Sequence, residues 1–373
     1  MFVERAVGDR NEAAQASALK ASIAFIDIHG KNHVAILLPI LENRSAQISK
    51  SDNRQDIIRQ SVVVLLGTLA KHIDKTDQKI PAIVATLINA LWTPSQVVQE
   101  AVATCLAPLA AIVKDNAGAM LASLVNKLLN DSLYGVRRGA AFGIAGLVKG
   151  LSILALKQHN IMDALLEAVQ NKKSANHREG ALMALELLCT FLGRLFEPYV
   201  IHVLPHLLIC YGDTNADVRI AAQDTARAIM AKLSAHGVKL VLPALLAGLD
   251  DDSWRTKAGS VELLGAMANC APKQLSACLP QIVPRLAAVV TDSHAKVQQA
   301  GRDALSQITQ VIKNPEVMNI APAILAALSD PSNKINACLE AILQTAFMHV
   351  IDAASLAVLM PVLQRATPVE CSA

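Results

Sequence analysis

The chain has 373 residues and a formal net charge of +3, with 53% hydrophobic, 17% charged and only 3% aromatic residues. A chain of this length normally forms two or three domains, but no Pro/Gly/Ser-rich linker, low-complexity tract or block of like charge divides it. The longest apolar runs, 101–113 and 353–363, fall short of the roughly 20 residues that a membrane-spanning helix needs. Residues 1–9 lack the order of a secretory signal. We therefore predict a soluble, cytoplasmic chain with no membrane partner.

Two sets of residues recur with a period near 40. Prolines in the same apolar frame are spaced by 38, 41, 38 and 39 residues at Pro205, Pro243, Pro284, Pro322 and Pro361. A polar residue followed by small residues recurs at intervals of 36 to 43, at Arg59, Gln99, Arg137, Arg178, Arg219, Arg255, Gln298 and Asn336. This period, with two helices per unit, is typical of HEAT repeats. A lone helix pair cannot bury both of its apolar faces, so the units must stack on one another.

We predict an all-α fold, a HEAT-repeat α-solenoid (an α-α superhelix) of about eight helix pairs plus terminal helices, in one continuous array over 1–373. A helix near 13–28 precedes the first pair. The predicted repeats are 31–72, 80–113, 117–150, 157–193, 198–234, 236–271, 272–312 and 315–349, followed by a partial unit, 352–365.

The third repeat contains five glycines between residues 135 and 150. A phosphate-binding loop requires G-x-x-x-x-G-K-[ST] after a strand, whereas these glycines recur every three or four residues in a helical pattern. The spacing therefore predicts a close approach between two helices.

The third and fourth repeats carry the most basic stretch, because residues 132–178 contain seven basic and two acidic residues. Five of the basic residues form a cluster in the sequence: Arg137, Arg138, Lys172, Lys173 and Arg178. Stacking also predicts a ladder of the once-per-repeat arginines, Arg137, Arg178, Arg219 and Arg255. These arginines either bond the carbonyls and aspartates of neighbouring turns or contact a phosphate backbone, whose binding is mainly electrostatic. With three tyrosines and two tryptophans, we expect contacts to RNA shape and phosphate, without base stacking.

The fifth repeat, 198–234, illustrates one unit. Its first helix is predicted to end near residue 212, and Asp217 is predicted to cap the second helix. Ala221 and Ala222 allow the two helices to approach closely.

No pattern predicts catalysis, and we expect no cofactor and no metal site. His202, His206 and Cys210 follow one another every four residues, which places the outer two about 12 Å apart on a helix. The acidic run 250–252 is interpreted as a helix end, a turn and a cap by Asp252. Seven cysteines without a C-x-x-C pair are typical of buried, reduced thiols.

The segments 137–150, 177–181, 195–200, 233–243, 254–268, 270–275, 296–301 and 312–316 resemble the family of translational activators of the general-control kinase. The resemblance covers about 17–365, a region of the family that is similar to the HEAT domain of fungal translation elongation factor three. Asn269 stands where the family pattern leads us to expect an aromatic residue.

The resemblance implies a ribosome-bound, non-enzymatic scaffold that acts when the kinase phosphorylates initiation factor two during amino-acid starvation. It implies contact with the ribosome (rRNA phosphate and ribosomal proteins) and with an ATP-binding-cassette partner protein. The kinase would be reached only through a segment absent here, so a fragment or a truncated gene product is expected. The candidate contact residues are Arg137, Arg138, Lys149, Lys172, Lys173, Arg178, Arg255, Lys257 and Lys296.

Two other classes of function stay open at this point. A scaffold that binds proteins only, of the transport-receptor or phosphatase type, would be expected to carry acidic or aromatic inner surfaces, and the low aromatic content disfavours it. An enzyme is the least supported class, because no acid, base and nucleophile converge in the pattern.

Overall fold

A computed structural model describes residues 11–47, 53–74, 77–270 and 272–366, and these residues form helices and connecting loops without a β-strand among them. They group into two compact units, Met1–Leu192 (unit 1) and Gly193–Ala373 (unit 2). The predicted all-α class is confirmed. That the repeats form one continuous array stays a prediction.

Unit 1 contains nine α-helices in its described part: α1 (Glu12–Gln47), α2 (Asn53–Ala70), α3 (Lys79–Ala90), α4 (Gln96–Ala110), α5 (Lys114–Asn130), α6 (Tyr134–Leu151), α7 (Leu154–Gln158), α8 (Ile161–Val169) and α9 (Ala175–Leu192). The second helices of successive pairs pack side by side, α2 on α4, α4 on α6 and α6 on α9. Their apolar faces form the core of the unit.

Unit 2 begins with a 3-10 turn, Gly193–Phe196, and in its described part continues with α10 (Glu197–Tyr211), α11 (Ala216–Lys232), α12 (Ala235–Gly248), α13 (Trp254–Cys270), α14 (Pro272–Val289), α15 (Ala295–Thr309), α16 (Pro315–Ser329), α17 (Pro331–Gln344) and α18 (Ala353–Ala366). The last helix packs on α14, α16 and α17, and Arg365 Nη2 donates to Ala287 O at 3.0 Å.

The N-terminal helix differs from its predicted form. We predicted one helix near 13–28 and a second one from residue 31, whereas α1 is helical on both sides of a single break at His33 (φ −127°, ψ 16°). The break lies two residues beyond the predicted boundary, so the two predicted helices follow each other without a loop.

The loops within five of the helix pairs share one construction. A side-chain oxygen near the start of the loop accepts the N–H of a residue two positions later, which is the geometry of an Asx turn. The acceptors are Asp131 (3.0 Å), Asn171 (2.9 Å), Asp213 (2.8 Å), Asp251 (2.8 Å) and Asp292 (2.9 Å). Each turn redirects the chain into the second helix of the pair.

The glycines of α6 allow it to pack closely on α4 and on the C-terminal end of α3, which confirms the predicted close approach between helices. A Cβ atom at Gly139 would lie 1.9 Å from Leu91 O, and one at Gly146 would lie 2.4 Å from Ala103 O. At Gly150 the distance to Ala107 O would also be 1.9 Å. No side chain fits at these distances, because the backbone carbonyls on the other side cannot move independently of their helix.

The fifth pair has the predicted helices but a different cap. The first helix ends at Tyr211 and the second begins at Ala216. The prediction that Asp217 caps this helix is wrong, since the Asn215 side chain accepts the N–H groups of Asp217 and Val218. Asn215 also has the extended backbone (φ −82°, ψ 132°) that an N-cap requires.

One helical stretch among the described residues, Ala175–Tyr211, is long and apolar enough to cross a membrane by length and composition. The stretch is interrupted at Gly193, whose φ is +57°. Its first part, α9, packs on α6 and α8 and carries the buried charges of Arg178 and Glu179. A core helix of a helical stack passes the same test, so this stretch is weak evidence for a span.

Candidate functional site

Three neighbouring helix pairs of unit 1 bring their internal loops to one edge, here called the loop edge (residues 91–99, 131–138 and 171–179). Gln99 Nε2 donates to Gly135 O at 2.7 Å, and Arg138 Nη2 donates to Pro94 O at 2.7 Å. An ion pair between Arg137 and Glu179 joins the second loop to the third. These bonds link residues that are 36 to 44 positions apart in the sequence.

Six recurring polar residues each lie at the fourth position of the second helix of their pair. Each donates its backbone N–H to the carbonyl of the residue four positions earlier, which is the residue just before the helix. The set is Gln99, Arg137, Arg178, Arg219, Lys257 and Gln298. The predicted series is therefore corrected in the sixth repeat, where Lys257 and not Arg255 holds this position, and in the eighth repeat, where Lys334 and not Asn336 holds it. Spacing alone did not separate two basic residues that lie two positions apart.

Side chains at this position close the loops. Arg137 Nη1 donates to Asp131 O (3.1 Å) and Ser132 O (3.0 Å), and Arg178 Nη1 donates to Asn171 O (2.7 Å). Buried carbonyl groups need such donors. Of the two roles considered for the arginines, this geometry favours the bonding of loop carbonyls.

Arg137 and Arg178 are accordingly buried, with exposed fractions of 4% and 9%. Their guanidinium groups are oriented toward the loops and, for Arg137, toward Glu179. Little of either side chain is accessible to a partner at the surface, so neither residue is included in the proposed contact surface.

Arg138 is half-buried and held in place by three acceptors. Its Nε donates to Gln99 Oε1 at 2.8 Å, in addition to the bond to Pro94 O and a longer one, 3.4 Å, to Gln96 Oε1. No carboxylate is among these acceptors, so the positive charge of Arg138 is not neutralised by them. Lys172 and Lys173, on the next loop, are exposed. The loop edge thus presents three of the predicted cations.

An aromatic side chain accompanies these cations. Tyr134, the first residue of α6, is 51% exposed, and the Arg138 guanidinium carbon lies 5.4 Å from its ring centroid. Its neighbour Leu133 is 64% exposed. Sequence reasoning did not single out Tyr134. The available signal was an aromatic residue that directly follows a turn and precedes two arginines.

Lys149 does not join the loop edge. It lies in the last turn of α6, about 17 Å along the helix axis from Arg138 at ~1.5 Å per residue. Its ammonium group lies 5.4 Å from the centroid of the Phe191 ring. Any partner contact through Lys149 is therefore separate from the cluster.

The remaining candidates belong to unit 2 and surround Trp254. The Trp254 ring stacks on His294 with centroids 4.2 Å apart and planes at 9°. Arg255 and Lys296, both exposed, lie 4.6 and 5.2 Å from the Trp254 ring. His294 Nδ1 accepts the backbone N–H of Lys296 at 3.2 Å, which fixes the orientation of the ring.

Acidic residues offset the charge of this second cluster. Lys257 Nζ lies 3.3 Å from Asp292 Oδ2. The pKa of Asp292 is lowered, first because its carboxylate accepts the backbone N–H of His294 and further because of Lys257. Asp250 pairs with Arg285 at 2.6 Å. Of the three candidate cations in unit 2, Lys257 is therefore paired, whereas Arg255 and Lys296 are exposed beside Trp254.

Two groups of residues were considered as metal ligands, the series His202, His206 and Cys210 and the acidic run 250–252. Within the described part of the chain, no three His, Cys, Asp or Glu side chains lie close enough together to hold an ion. Two carboxylates of the acidic run 250–252 have separate partners. Asp250 forms an ion pair with Arg285, and Asp251 accepts the backbone N–H of Ser253. The helix after the run starts at Trp254, and its first backbone bond is from Lys257 N to Ser253 O, which puts Ser253 at the cap position where we predicted Asp252.

Two family models match the sequence. The model described as EF3 N-terminal HEAT repeat matches residues 137–305, and the model described as Stalled ribosome sensor GCN1, HEAT repeats, matches residues 1–71. The first match includes α6 from residue 137 onward and the cations of both clusters, and the second includes α1 and α2.

Curated relatives match nearly the whole chain. The protein named Stalled ribosome sensor GCN1 from Homo sapiens is 59% identical over 98% of this chain. The eIF-2-alpha kinase activator GCN1 from Saccharomyces cerevisiae is 39% identical over 96%. Elongation factor 3 from Gonapodya prolifera is 30% identical over 67% of this chain and 23% of its own length. The chain spans 14% of the human relative and 13% of the yeast relative.

Solved structures agree on the fold. Kap121p bound to Pho4p aligns with 91% of this chain and 36% of its own, at 14% identity and a TM-score of 0.52. Kap95p, solved with RanGDP, aligns with 99% of this chain and 50% of its own, at 14% identity and a TM-score of 0.50. At this identity the likeness concerns the fold alone. The chain is therefore a HEAT-repeat protein, homologous over nearly all of its residues to a segment of the GCN1 translational activators, as its sequence motifs predicted.

Proposed function

We propose that the chain is a non-enzymatic, ribosome-associated scaffold of the cytoplasm that takes part in activating the initiation-factor-two alpha kinase during amino-acid starvation. The observation that carries this proposal is the 59% identity over 98% of the chain to a relative named as a stalled ribosome sensor. Relatives named as eIF-2-alpha kinase activators support the link to the kinase.

The loop edge of unit 1 is the surface that we assign to ribosomal RNA. Lys172 and Lys173 are exposed on one loop, and Arg138 is fixed on the neighbouring one. The loop edge contains two carboxylates. Asp131 accepts the backbone N–H of Leu133, and Glu179 forms an ion pair with the buried Arg137. Arg138, Lys172 and Lys173 outnumber the one carboxylate that is left without a cation, Asp131, so the net charge of the edge is positive, which suits a phosphate backbone.

Other partners of the GCN1 family belong to the same proposal. An ATP-binding-cassette protein is expected to bind this region together with ribosomal proteins. The kinase is expected to bind a segment that lies outside this chain. Arg255 and Lys296 provide a second cationic cluster for these contacts.

Co-sedimentation with ribosomes tests the proposal. The purified chain is expected to pellet with ribosomes at moderate salt. The double variant Lys172→Gln, Lys173→Gln should bind more weakly, and the slope of log affinity against log salt should fall by about 2, one for each lost phosphate contact. Lys239→Gln with Lys273→Gln, two exposed lysines of unit 2, is the matched control and should leave the slope unchanged.

A chain that stays in the supernatant at low salt would contradict ribosome association. Equal salt slopes for the two double variants would contradict the role of the loop edge and leave ribosome association to another surface. Catalytic turnover by the pure chain would contradict the non-enzymatic assignment.

A scaffold for protein partners only is the second candidate. The observation that favours it is the exposure of large apolar side chains in unit 1, with Leu133 at 64% and Leu154 at 63%. Such side chains often mark protein interfaces when they are grouped. A pulldown that is rich in other proteins and lacks ribosomal proteins would support this candidate over the first.

A further inference from the structure

The position of Tyr134 suggests a contact that the low aromatic content of the chain did not predict. We propose that Tyr134 stacks on an unpaired base of an RNA strand whose phosphates are held by Lys172 and Lys173. The inference rests on the proposed function, because it names the form of RNA that the loop edge binds. It replaces our expectation of contacts to RNA shape and phosphate alone.

The Tyr134 side chain is exposed, and the backbone next to it is held by a hydrogen bond. It is 51% exposed although it belongs to the first turn of α6. The backbone just before it is held by the bond from Leu133 N–H to Asp131 Oδ1, at 3.0 Å. A tyrosine has two side-chain torsions, so little conformational freedom is lost when its ring binds a flat partner.

Arg138 supports this ring with a charge that is held in place. Its guanidinium carbon lies 5.4 Å from the Tyr134 centroid, while its nitrogens donate to Gln99, Gln96 and Pro94. The cation cannot swing away to follow a ligand, because three acceptors hold it. A base that stacks on Tyr134 therefore meets a ring with a positive charge already beside it, and phosphates near that base are attracted to the same edge.

The charges along the edge favour an RNA strand. Lys172 and Lys173 lie on the loop that follows in the stack, which the Arg137–Glu179 pair attaches to α6. Base stacking on an aromatic ring with lysines along the backbone is the usual arrangement for single strands. The faces of the bases inside a duplex are covered by neighbouring bases and cannot stack on a side chain, so the inference separates unpaired from paired RNA.

Binding of short RNAs to the full chain tests the inference by fluorescence anisotropy. The probes are a 12-nucleotide single strand, the same strand with abasic sites, and a hairpin that contains the same nucleotides in a duplex. Tyr134→Ala should weaken binding of the single strand about tenfold, the loss typical of one base–aromatic stack. Tyr134→Phe should bind like the parent chain. Leu154→Ala, at an equally exposed apolar position on α7, is the control and should change nothing.

Three further readouts distinguish stacking from a loss of charge or structure. Tyr134→Ala should leave the salt slope unchanged, whereas Lys172→Gln with Lys173→Gln should lower it by about 2. The tenfold difference between Tyr134→Ala and the parent chain should disappear with the abasic strand. A 5-iodouridine strand should photo-crosslink to Tyr134 in the parent chain.

Equal binding of the single strand by Tyr134→Ala and the parent chain would overturn the inference, as would a failure of the parent chain to prefer the single strand over the hairpin. A poly-glutamate peptide that displaces the strand and depends equally on Tyr134 would instead identify an acidic protein partner. Ribosome co-sedimentation decides the proposed function separately. A chain that pellets with ribosomes regardless of Tyr134 would keep that function and lose the stacking site.

Discussion

Arg137 of α6 and Glu179 of α9 form a buried ion pair that joins two successive helix pairs of unit 1. Their residues are 4% and 7% exposed. Arg137 also closes its own loop through two carbonyls. The same side chain therefore holds one repeat together and connects it to the next.

Glu179→Gln is expected to lower the free energy of unfolding of unit 1 by about 3 kcal/mol or more, because it leaves the Arg137 charge buried without its partner. Urea unfolding followed by circular dichroism measures the loss. The exposed pair of Arg227 and Asp224, with 73% and 38% of their side chains exposed, is the control. Arg227→Ala should cost about 0.5 kcal/mol at most. Equal effects of the two variants would refute a structural role for the buried pair.

Gly139→Ala is expected to destabilise the chain by about 3 kcal/mol or more, because its Cβ would lie 1.9 Å from Leu91 O and would push α6 away from the C-terminal end of α3. Gly135→Ala is the matched control on the same helix, since its Cβ would meet Pro94 Cα at an ordinary 3.6 Å. There the gain in helix propensity should make the substitution neutral or slightly stabilising. Thermal unfolding of both variants checks the contrast, which a similar Tm for the two would contradict.

Gln99→Leu should cost about 1–3 kcal/mol, because the buried amide donates to Leu91 O, Thr93 O and Gly135 O, and these carbonyls would lose their partner. Gln96→Leu, on an exposed position of the same helix, removes only the 3.4 Å acceptor of Arg138. Its effect should stay within about 0.5 kcal/mol. Urea midpoints of the two variants provide the measurement. If Gln96→Leu proved the more damaging change, loop closure by Gln99 would be ruled out.

Cys105 is expected to react slowly with iodoacetamide, since burial raises the pKa of its thiol from 9.0 to about 11. Cys278, which is half-exposed, should be alkylated first at pH 8. Peptide mass spectrometry over time distinguishes the two, and prior unfolding in urea should make their rates similar. Between pH 9 and 11 the thiol ionises in the unfolded chain before it does so in the folded one. Stability should therefore fall as the pH rises through this window, and Cys105→Ala should reduce that fall.

The sequence by itself determined the repeat architecture. Prolines and polar residues with a period near 40 identified the helix pairs, and glycines every three or four residues identified the close contact of α4 and α6. Such features depend on local periodicity and on residue size, which a sequence displays directly. The motifs of the GCN1 proteins were also present in the chain and were confirmed by the relatives.

The tertiary structure decided which charges remain available to a partner. Arg137 and Arg138 are neighbours in the sequence, yet one is buried in its loop and the other lies under the exposed Tyr134 ring. It also placed Lys257, and not Arg255, at the helix position that Arg137 and Arg178 occupy in their repeats. The physical reason is that the direction of a side chain depends on the residue at which its helix begins. The hydrogen-bond partners of such a side chain also come from a neighbouring repeat, about 40 residues away in the sequence.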